Sequence, residues 1–334
     1  MALMKQNHLL SNSSKLGRFF ILVLLYYCLF SLADTAVARE SAKGPYPSRP
    51  IRIMVPAAAG GSLGNEIRAL APFLEKSLGV SMIIDYVTGA DGMIAYNKFA
   101  TEKSDGYTIM YFNLIAALPL ELTRETAKYA VKDYGAVGGW NVKYQVLLVH
   151  PDTWKNFADF LGDAKKRSLS LAGTGGHTVL NVRLLESSLG VKFNLVPFKS
   201  SGEGIAAVAG KHVDCMLTYE TTPKPMIQAG KLRPLAVLSL KPDAILPTVP
   251  NLKLLGHENV PILPANGVIA APPHTPKEIT AVLEKALSKA TAAPEFKKIA
   301  ENLGMFVDFM PATELQKTTL DIYGILNKNK QFIQ

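Results

Sequence analysis

Short apolar runs alternate with amphipathic stretches along most of the chain, and this alternation restricts the fold more than any other feature. After the first run, Ile67, Leu70, Ala71 and Leu74 recur at helical spacing before Gly79, a pattern typical of a helix with a glycine cap. Strands separated by helices predict an α/β fold with largely parallel strands. The strand-like runs are IRIMV, SMIID, YTIMYF, VLLV, LSLA, VDCML and PLAVL.

The last third of the chain carries the clearest helix boundaries. Residues Thr275–Glu278 have the pattern of a capping box with a proline at the first helical position. Another helix is expected from Pro294 to Gly304, and Thr313 can open a third. Before these helices, residues 239–266 are rich in proline, which predicts an irregular connection that returns from one domain to another.

The first 38 residues have the composition of a secretory signal peptide. Lys5, Lys15 and Arg18 precede the apolar run FFILVLLYYCLFSLA, and the small residues Ala36-Val37-Ala38 supply a cleavage site. A membrane anchor is the alternative, but a span needs about 20 apolar residues and this run is shorter. We therefore expect export, cleavage after about Ala38 and a periplasmic mature protein.

The charge balance is basic without the pattern of a nucleic-acid-binding protein. In the full chain, 36 Lys and Arg face 27 Asp and Glu, a formal net charge of +9. These charges are spread out, with no basic run or interleaved aromatic residues, so nucleic acid is not an expected partner. The balance favours solubility and a mild attraction for anions. Cys215 would be the single cysteine of the mature chain, which excludes a disulfide within it.

The segment VPAAAGGSLG, residues 55–64, admits two interpretations. It contains G-x-S-x-G, the nucleophile elbow of serine hydrolases, so one hypothesis is a secreted serine esterase that uses Ser62. In that fold the elbow follows several earlier strands, whereas this one follows the first strand after the signal peptide. The other interpretation is a glycine-rich loop at the start of a helix, whose N–H groups bind an anion.

A second glycine-rich loop, AGTGGHTVLN, follows the run LSLA in the other half of the chain. Thr178 stands where a dinucleotide fingerprint needs its third glycine, and neither loop ends in the Gly-Lys-Ser/Thr of a phosphate-binding loop. The histidines are scattered, without metal-ligand spacing. We therefore expect no cofactor and no metal. The two glycine loops, one in each half, could together hold a small anion.

Several further segments make the pattern more specific. YPSRPIRIMVPAAAGG, SDGYTIM, VKDYGAVG, NLVPFKSSGEGIAAVAGKHVDCML and IQAGKLRPLAVLS occur in this order. Together they resemble the extracytoplasmic solute-binding proteins of tripartite tricarboxylate transporters, the Bug family. The resemblance implies an α/β, two-lobed periplasmic binding protein fold of type II-like organisation, with a ligand cleft between lobes joined by crossing strands. It also implies one lobe from residues 46–145 and 265–334, and another from residues 146–264.

The resemblance further implies a solute receptor and not an enzyme. Members of the family bind organic acids between the lobes, and backbone groups of one loop from each lobe hold a carboxylate. The partners implied are a small organic acid and the small and large membrane subunits of a transporter, with a sensor kinase as the alternative and a monomer as the expected state. Carried onto this chain, the ligand-binding residues are Ala57, Ala59, Gly60, Gly61, Ser62, Ala90, Asp91, Gly92, Thr174, Gly175, Gly176, His177, Phe198 and Tyr219.

Some positions depart from the family pattern in ways that affect the ligand. Ala57 stands where an aromatic residue is usual, and Gly64 and Thr218 stand where Asp is frequent. In the second loop, Gly176 replaces a usual Ser and Val179 a usual His. Loss of acidic groups removes partners for a ligand amino group, and the change to alanine widens the pocket. We therefore expect a bulkier or more apolar carboxylate than a simple amino acid.

Polar residues near the expected cleft leave alternatives open. His177 can donate to an anion or lie at a helix-capping or surface position, and Lys199 can attract an anion or remain solvated. Tyr219 and Glu220 end the run VDCML, where ligands of open α/β sheets bind, although Glu220 can instead face solvent. Ser62 is expected to cap the first helix and to lend its N–H or hydroxyl to the anion loop.

Overall fold

The computed structural model describes residues 45–60, 62–174 and 176–333. The predicted signal peptide lies outside the described residues. Residues Arg49–Gln334 form one compact unit, and the fold described below belongs to it. Among the described helices, none has the length and apolar character that a membrane span requires.

The described residues form eleven strands and ten α-helices, which alternate along much of the chain. The strands are β1 (Ile51–Val55), β2 (Met82–Tyr86), β3 (Thr108–Asn113), β4 (Gly135–Lys143), β5 (Gln145–Val149), β6 (Leu169–Gly173), β7 (Phe193–Pro197), β8 (Cys215–Tyr219), β9 (Arg233–Val237), β10 (Ala265–Ala271) and β11 (Val307–Pro311). The helices are α1 (Ser62–Leu78), α2 (Met93–Phe99), α3 (Leu114–Thr123), α4 (Phe157–Ala164), α5 (Gly176–Leu189), α6 (Ser201–Ala209), α7 (Lys224–Gln228), α8 (Lys277–Ala292), α9 (Pro294–Asn302) and α10 (Ala312–Lys328).

The strands form two separate sheets, one in each of two lobes. The first sheet has the order β11-β4-β10-β3-β1-β2, and the second has the order β7-β6-β8-β5-β9. The chain passes from the first sheet to the second through Tyr144, which separates β4 from β5. It returns through residues 238–264, the segment predicted to be irregular, in which Asn251 forms an isolated bridge with Val237. Two crossing segments therefore join the lobes.

The sheets are less parallel than the sequence pattern predicts. Of nine pairings between named strands, β1 with β2 and β3, and β6 with β7 and β8, are parallel, whereas the other five are antiparallel. The antiparallel pairings all involve β4, β5 or β10, the strands next to the crossings. The chain continues from β4 almost directly into β5. β4 therefore runs toward the lobe boundary in the first sheet, and β5 runs away from it in the second. The prediction of largely parallel strands is wrong for this reason.

Two helix predictions have different outcomes. Helix α1 buries Ile67, Leu70 and Leu74, as their spacing predicts. Helix α8 begins at Lys277 without a side-chain cap, because the Thr275 hydroxyl donates to the carbonyl oxygen of Pro272 at 2.8 Å. The capping-box prediction is therefore wrong, since the turn before the helix takes the hydroxyl that would cap it.

The largest hydrophobic cluster includes residues from both lobes. Its first-lobe members include Phe112 of β3 and Leu118 of α3, both at most 1% exposed. Leu180 and Leu184 of α5 belong to the same cluster, although α5 follows a strand of the second sheet. The first half of α5 therefore belongs to a core that both lobes share.

Candidate ligand-binding cleft

The carboxyl ends of the parallel strands define where a ligand can bind. In each sheet these strands end at one edge, and the loops that follow them lead into helices. Ligands of open α/β sheets bind at such edges. The last residues of these strands are Val55, Tyr86, Asn113, Gly173, Pro197 and Tyr219.

A cavity of about 610 Å³ lies between α3 and α5. Most of its wall is hydrocarbon, contributed by two helices and the end of the chain. Asn113 and Asp91 add polar atoms, and His177 and Tyr219 form one side. We call it the apolar cavity. The apolar side chains that line it are Ile115, Ala116, Pro119, Leu120, Val179, Leu180, Phe332 and Ile333.

A second cavity, of about 440 Å³, shares His177 and Tyr219 with the first. Hydroxyl groups and one lysine dominate its lining, and no acidic residue is among the described residues that line it. We call it the polar cavity. Its other lining residues are Thr174, Thr178, Lys199, Ser200, Ser201 and Thr218.

His177 is held in place from two directions. Its Nδ1 lies 2.5 Å from Oη of Tyr219, and its Nε2 lies 2.6 Å from the carbonyl oxygen of Leu263. A carbonyl can only accept, so Nε2 carries the proton and Nδ1 accepts from the tyrosine hydroxyl. Burial lowers the pKa of His177 to about 4, so the ring is neutral near pH 7. Both nitrogens are engaged, and neither is free to donate to an anion in this conformation.

Thr218 lines the polar cavity and has an unused hydroxyl. The residue is 2% exposed, and its Oγ1 has no hydrogen-bond partner among the described residues. A buried hydroxyl without a partner is unfavourable, by about 1–3 kcal/mol. The neighbouring Thr178 differs, because its Oγ1 accepts from Nε2 of Gln145 at 3.0 Å. Of these two threonines, Thr218 is therefore the one whose hydroxyl lacks a hydrogen-bond partner that a ligand atom would supply.

The start of α6 also faces the polar cavity. Ser200 caps this helix by accepting from the N–H of Glu203 at 3.3 Å, and both Ser200 and Ser201 line the cavity. The first N–H groups of a helix carry a partial positive charge and lack partners within the helix. Lys199 precedes the cap and is exposed, so its ammonium can reach the same space. This end of the cavity therefore favours an anion.

Ser62 has a different role from the predicted helix cap. It is the first residue of α1, and its hydroxyl donates to Oε1 of Glu66 at 2.6 Å instead of accepting from a backbone N–H. Lys143 at the end of β4 forms an ion pair with the same oxygen at 2.5 Å and lies 3.4 Å from the Ser62 hydroxyl. The hydroxyl already lies within the helix, so it reaches one turn forward to a side chain.

The surroundings of Ser62 do not form a hydrolase triad. Its described hydrogen bonds involve Glu66 and Lys143 but no histidine, so the serine–histidine pair of a nucleophile elbow is not assembled there. Burial opposes ionisation of Glu66, yet Lys143 and the hydroxyls of Ser62 and Tyr111 outweigh it and hold the pKa of Glu66 below its usual range. Lys143 is engaged in that ion pair and is not free to act as a base.

Glu220 does not face solvent, the alternative left open by the sequence. It is 1% exposed, and one of its carboxylate oxygens has no described partner. Burial raises the pKa of Glu220 to about 8, so the carboxyl group is largely protonated at pH 7. Cys215, at the start of the strand that precedes Glu220, is fully buried, and burial raises the pKa of its thiol well above its usual range.

The predicted ligand-binding residues are distributed unevenly around the two cavities. Asp91, Thr174, His177 and Tyr219 line one or both of them, and Gly176 begins α5. Gly61 and Gly175 lie outside the described residues. The remaining predicted residues line neither cavity: Ala57, Ala59, Gly60, Ser62, Ala90, Gly92 and Phe198.

The first-lobe loop is nevertheless fixed close to the start of α1. Arg68 donates to the carbonyl oxygen of Ala59 and, at 2.9 Å, to Oη of Tyr86. The apolar side of α3 is absent from the sequence prediction, although the run LIAALPLEL is apolar except for Glu121, a signal that marks it as buried or ligand-facing. Within the described residues, no group of three or more potential metal ligands is present.

Comparison with known proteins identifies the family. The family model described as the tripartite tricarboxylate transporter family receptor, TctC, matches residues 67–334, which is most of the chain. The chain belongs to this receptor family. The members of this family are periplasmic solute receptors, and two sheets in two lobes match their solved structures.

Named relatives of this TctC-family receptor extend over most of its length. A UPF0065 protein encoded between ttuE and ttuC' in Agrobacterium vitis is 31% identical over 286 residues, which are 84% of this chain and 81% of that protein. Protein BugT of Bordetella pertussis is 28% identical over 266 residues, 78% of this chain and 81% of that protein. The similarity therefore covers both lobes.

Solved structures share the fold of the receptor. A TctC solute-binding protein from Polaromonas, without ligand, has a TM-score of 0.78 and 26% identity, covering 85% of this chain and 99% of that one. Two Rhodopseudomonas palustris proteins share the fold at lower identity. Rpa4515 with adipate has a TM-score of 0.66 and 23% identity, covering 86% and 98% of the two chains. MatC with bound malate has a TM-score of 0.60 and 22% identity, covering 86% and 100%.

Proposed function

We propose that this chain is an extracytoplasmic receptor that binds a small organic acid between its lobes without catalysis. It then delivers the acid to the small and large membrane subunits of a transporter. The lobes proposed to close are residues 46–145 with 265–334, and residues 146–264. Membership of the TctC receptor family supports the binding role. The observation that carries the choice of an acid is the unpartnered Thr218 hydroxyl in a cavity that also contains Lys199.

A carboxylate fits the chemistry of the polar cavity. It needs several donors to replace water, and the cavity offers the Thr218 hydroxyl, the Lys199 ammonium and the first N–H groups of α5 and α6. An ammonium group has no acidic partner among the described lining residues. The same fold holds malate in MatC and adipate in Rpa4515, which supports an organic acid as the ligand class.

The first-lobe loop completes the site in this proposal. Ala57–Ser62 and the turn Ala90–Gly92 follow the carboxyl ends of β1 and β2, on the edge of the sheet where ligands bind. Ser62 approaches Lys143 next to the crossing at Tyr144, so loop and crossing are physically connected. Closure of the lobes would bring this loop toward Thr174–His177, with Phe198 and Tyr219 at the side.

Isothermal titration calorimetry of the purified protein tests the proposal. Acetate, malate, adipate, hexanoate, benzoate and glutamate are titrated in turn, and the recovered compound is analysed by mass spectrometry. We expect at least one acid to bind saturably at one site and to be recovered unchanged. Absence of binding by every acid, or Ser62-dependent cleavage of a chromogenic ester, would contradict the proposal.

Thr218→Val provides the sharper test, because it keeps the shape and removes the hydroxyl. We expect the affinity for the bound acid to fall about tenfold or more, the loss of a hydrogen bond to a charged group. The melting temperature should not fall, since the hydroxyl has no partner to lose. The matched control is Thr319→Val, whose hydroxyl donates to Leu315 at 2.8 Å. The control should lower stability slightly and leave affinity unchanged.

Delivery is tested separately from binding. Proteoliposomes containing the small and large membrane subunits should take up the labelled acid only when this receptor is added. If uptake does not depend on the receptor, while a sensor kinase responds to the loaded receptor, the delivery part of the proposal fails and the binding part stands.

A further inference from the structure

We infer that the ligand is a monocarboxylate with an apolar tail, whose carboxylate occupies the polar cavity while its hydrocarbon part fills the apolar cavity. This inference rests on the proposed function and specifies its substrate class. Three observations carry it: the adjacency of the two cavities, the partly exposed apolar side of α3, and the charges around the apolar cavity.

The two cavities are adjacent parts of one cleft. His177 and Tyr219 line both, with ring centroids 5.7 Å apart and a hydrogen bond that holds them together. In the inferred complex, a ligand anchored near Thr218 extends past this pair into the apolar cavity. The volume of about 610 Å³ is in the range of cavities that bury drug-sized ligands, so the space exceeds the need of a short acid.

Helix α3 has an apolar side that stays partly exposed in the cleft. Leu114 and Leu118 are buried in the core, as expected for one side of a helix. The opposite side carries Ala116, which is exposed, and the partly exposed Pro119 and Leu120. A solvent-facing side of a helix is usually polar, and a contiguous apolar surface in a cleft is typical of a ligand site. The occupant that fits is hydrocarbon.

Charge argues for a single carboxylate. Among the described residues that line the apolar cavity, the charged one is Asp91, which is exposed and would repel a second carboxylate. Arg124 and Lys330 line a neighbouring cavity of about 370 Å³ that shares Ile333 with the apolar cavity. Both are exposed, so water already solvates them. A long dicarboxylate that reaches them is the alternative that the experiment has to separate.

A chain-length series measures the contribution of the tail. Saturated monocarboxylates from butanoate to decanoate are titrated by calorimetry, beside succinate, adipate, suberate and sebacate. We expect the dissociation constant to fall up to about fourfold per added methylene, which corresponds to 0.8 kcal/mol, until the cavity is filled. Each monocarboxylate should bind more tightly than the dicarboxylate of the same length. An affinity that does not change with length, or a preference for the dicarboxylates, would overturn the inference.

Ala116→Phe tests the position of the tail. The larger side chain would occupy part of the apolar cavity, so octanoate should lose at least tenfold in affinity while butanoate binds as before. The matched control is Ala206→Phe, at an exposed helical alanine that lines neither cavity, and it should change neither affinity. Equal effects of Ala116→Phe on both acids would also overturn the inference.

Failure of the inference differs from failure of the proposed function. If no acid of either series binds, both fail. If short acids or dicarboxylates bind best and Thr218→Val weakens their binding, the proposed function as an organic-acid receptor stands. The inference that the ligand has an apolar tail is then wrong. Under the inference, Thr218→Val weakens all monocarboxylates by a similar factor, whereas Ala116→Phe selects against the long ones.

Discussion

The ring of His177 joins Tyr219, at the end of β8, to the segment that returns to the first lobe. Its two nitrogens lie 2.5 Å from the Tyr219 hydroxyl and 2.6 Å from the carbonyl oxygen of Leu263, two residues before β10. The same ring lines both cavities. Displacement of the returning segment would therefore break a hydrogen bond of a residue in the cleft wall, which links lobe movement to the shape of the site.

Removing the tyrosine hydroxyl should destabilise the protein. Tyr219→Phe leaves Nδ1 of the half-buried His177 without its donor, which costs about 1–3 kcal/mol. Urea denaturation at pH 7 measures the change. Tyr86→Phe serves as the control, because its hydroxyl accepts from the exposed Arg68 and should cost less than 1 kcal/mol. Equal losses of unfolding free energy from the two substitutions would show that the hydrogen bond between Tyr219 and His177 is not formed.

His177 should make the protein less stable in acid. Burial lowers its pKa to about 4, compared with about 6.5 in the unfolded chain. Between these values the unfolded state binds a proton that the folded state does not, so stability is fully present above pH 6.5 and is lost as pH falls toward 4. The loss amounts to about 3 kcal/mol. The stability difference between wild type and His177→Gln should shrink over this range, and a constant difference would contradict the assignment.

Glu220 should have the opposite pH dependence. Burial raises its pKa to about 8 from about 4.5 when unfolded, so between these values the folded state holds a proton that the unfolded state has released. Its contribution is therefore full below pH 4.5 and is lost as pH rises toward 8, by up to about 5 kcal/mol. Glu220→Gln keeps the neutral form at every pH and should remove this loss. If the unfolding free energies of wild type and Glu220→Gln change in parallel from pH 5 to 8, the raised pKa of Glu220 is refuted.

The ion pair between Lys143 and Glu66, next to the crossing at Tyr144, should show a strong coupling energy in unfolding. Lys143→Met leaves the carboxylate of Glu66, which is 4% exposed, without its cation, at a cost of about 3–5 kcal/mol. Adding Glu66→Gln should recover part of the loss, because no buried charge then remains. A double-mutant cycle by urea denaturation measures the coupling, and additive effects would mean that the pair contributes nothing.

Gly267 is a position where a methyl group does not fit. A Cβ there would overlap with Oη of Tyr111, which is fully buried, donates to Glu66 and stacks on Trp140. Gly267→Ala should therefore lower the unfolding free energy by about 1–3 kcal/mol. Gly162→Ala is the control, because its site in α4 is open and alanine favours helix by about 1 kcal/mol. Thermal denaturation should shift in opposite directions for the two variants.

Sequence patterns predicted the elements that have a continuous apolar run or regular apolar spacing. All seven strand-like runs correspond to strands, and α1 follows its apolar pattern. Strands β4, β7, β10 and β11 are absent from that prediction. β4 reads GAVGGWNVK and β10 reads ANGVIAA, in which glycine and small residues weaken any alternating pattern. β4 and β10 are strands because neighbouring strands pair with each of them on both sides.

The candidate site was predictable in part. Tyr219 ends a strand-like run, and His177 follows a glycine loop, so both could be placed near a ligand. The apolar side of α3 was not recognised, because a mostly apolar helix looks the same in sequence whether protein or ligand covers it. The free hydroxyl of Thr218 and the burial of Glu220 depend on which side chains approach them, and sequence does not contain that information.

The sequence by itself determined the fold class, the two glycine loops and the family, because these follow from local periodicity and from short motifs in a fixed order. The tertiary structure alone decided what each polar group does. Ser62 donates to Glu66 instead of capping α1, and His177 is neutral because burial lowers the pKa of its ring, while Tyr219 and Leu263 fix which nitrogen carries the proton. The partners of His177 lie 42 and 86 residues away along the chain. Burial and hydrogen bonding between such distant residues fix the protonation of His177, and no local pattern encodes it.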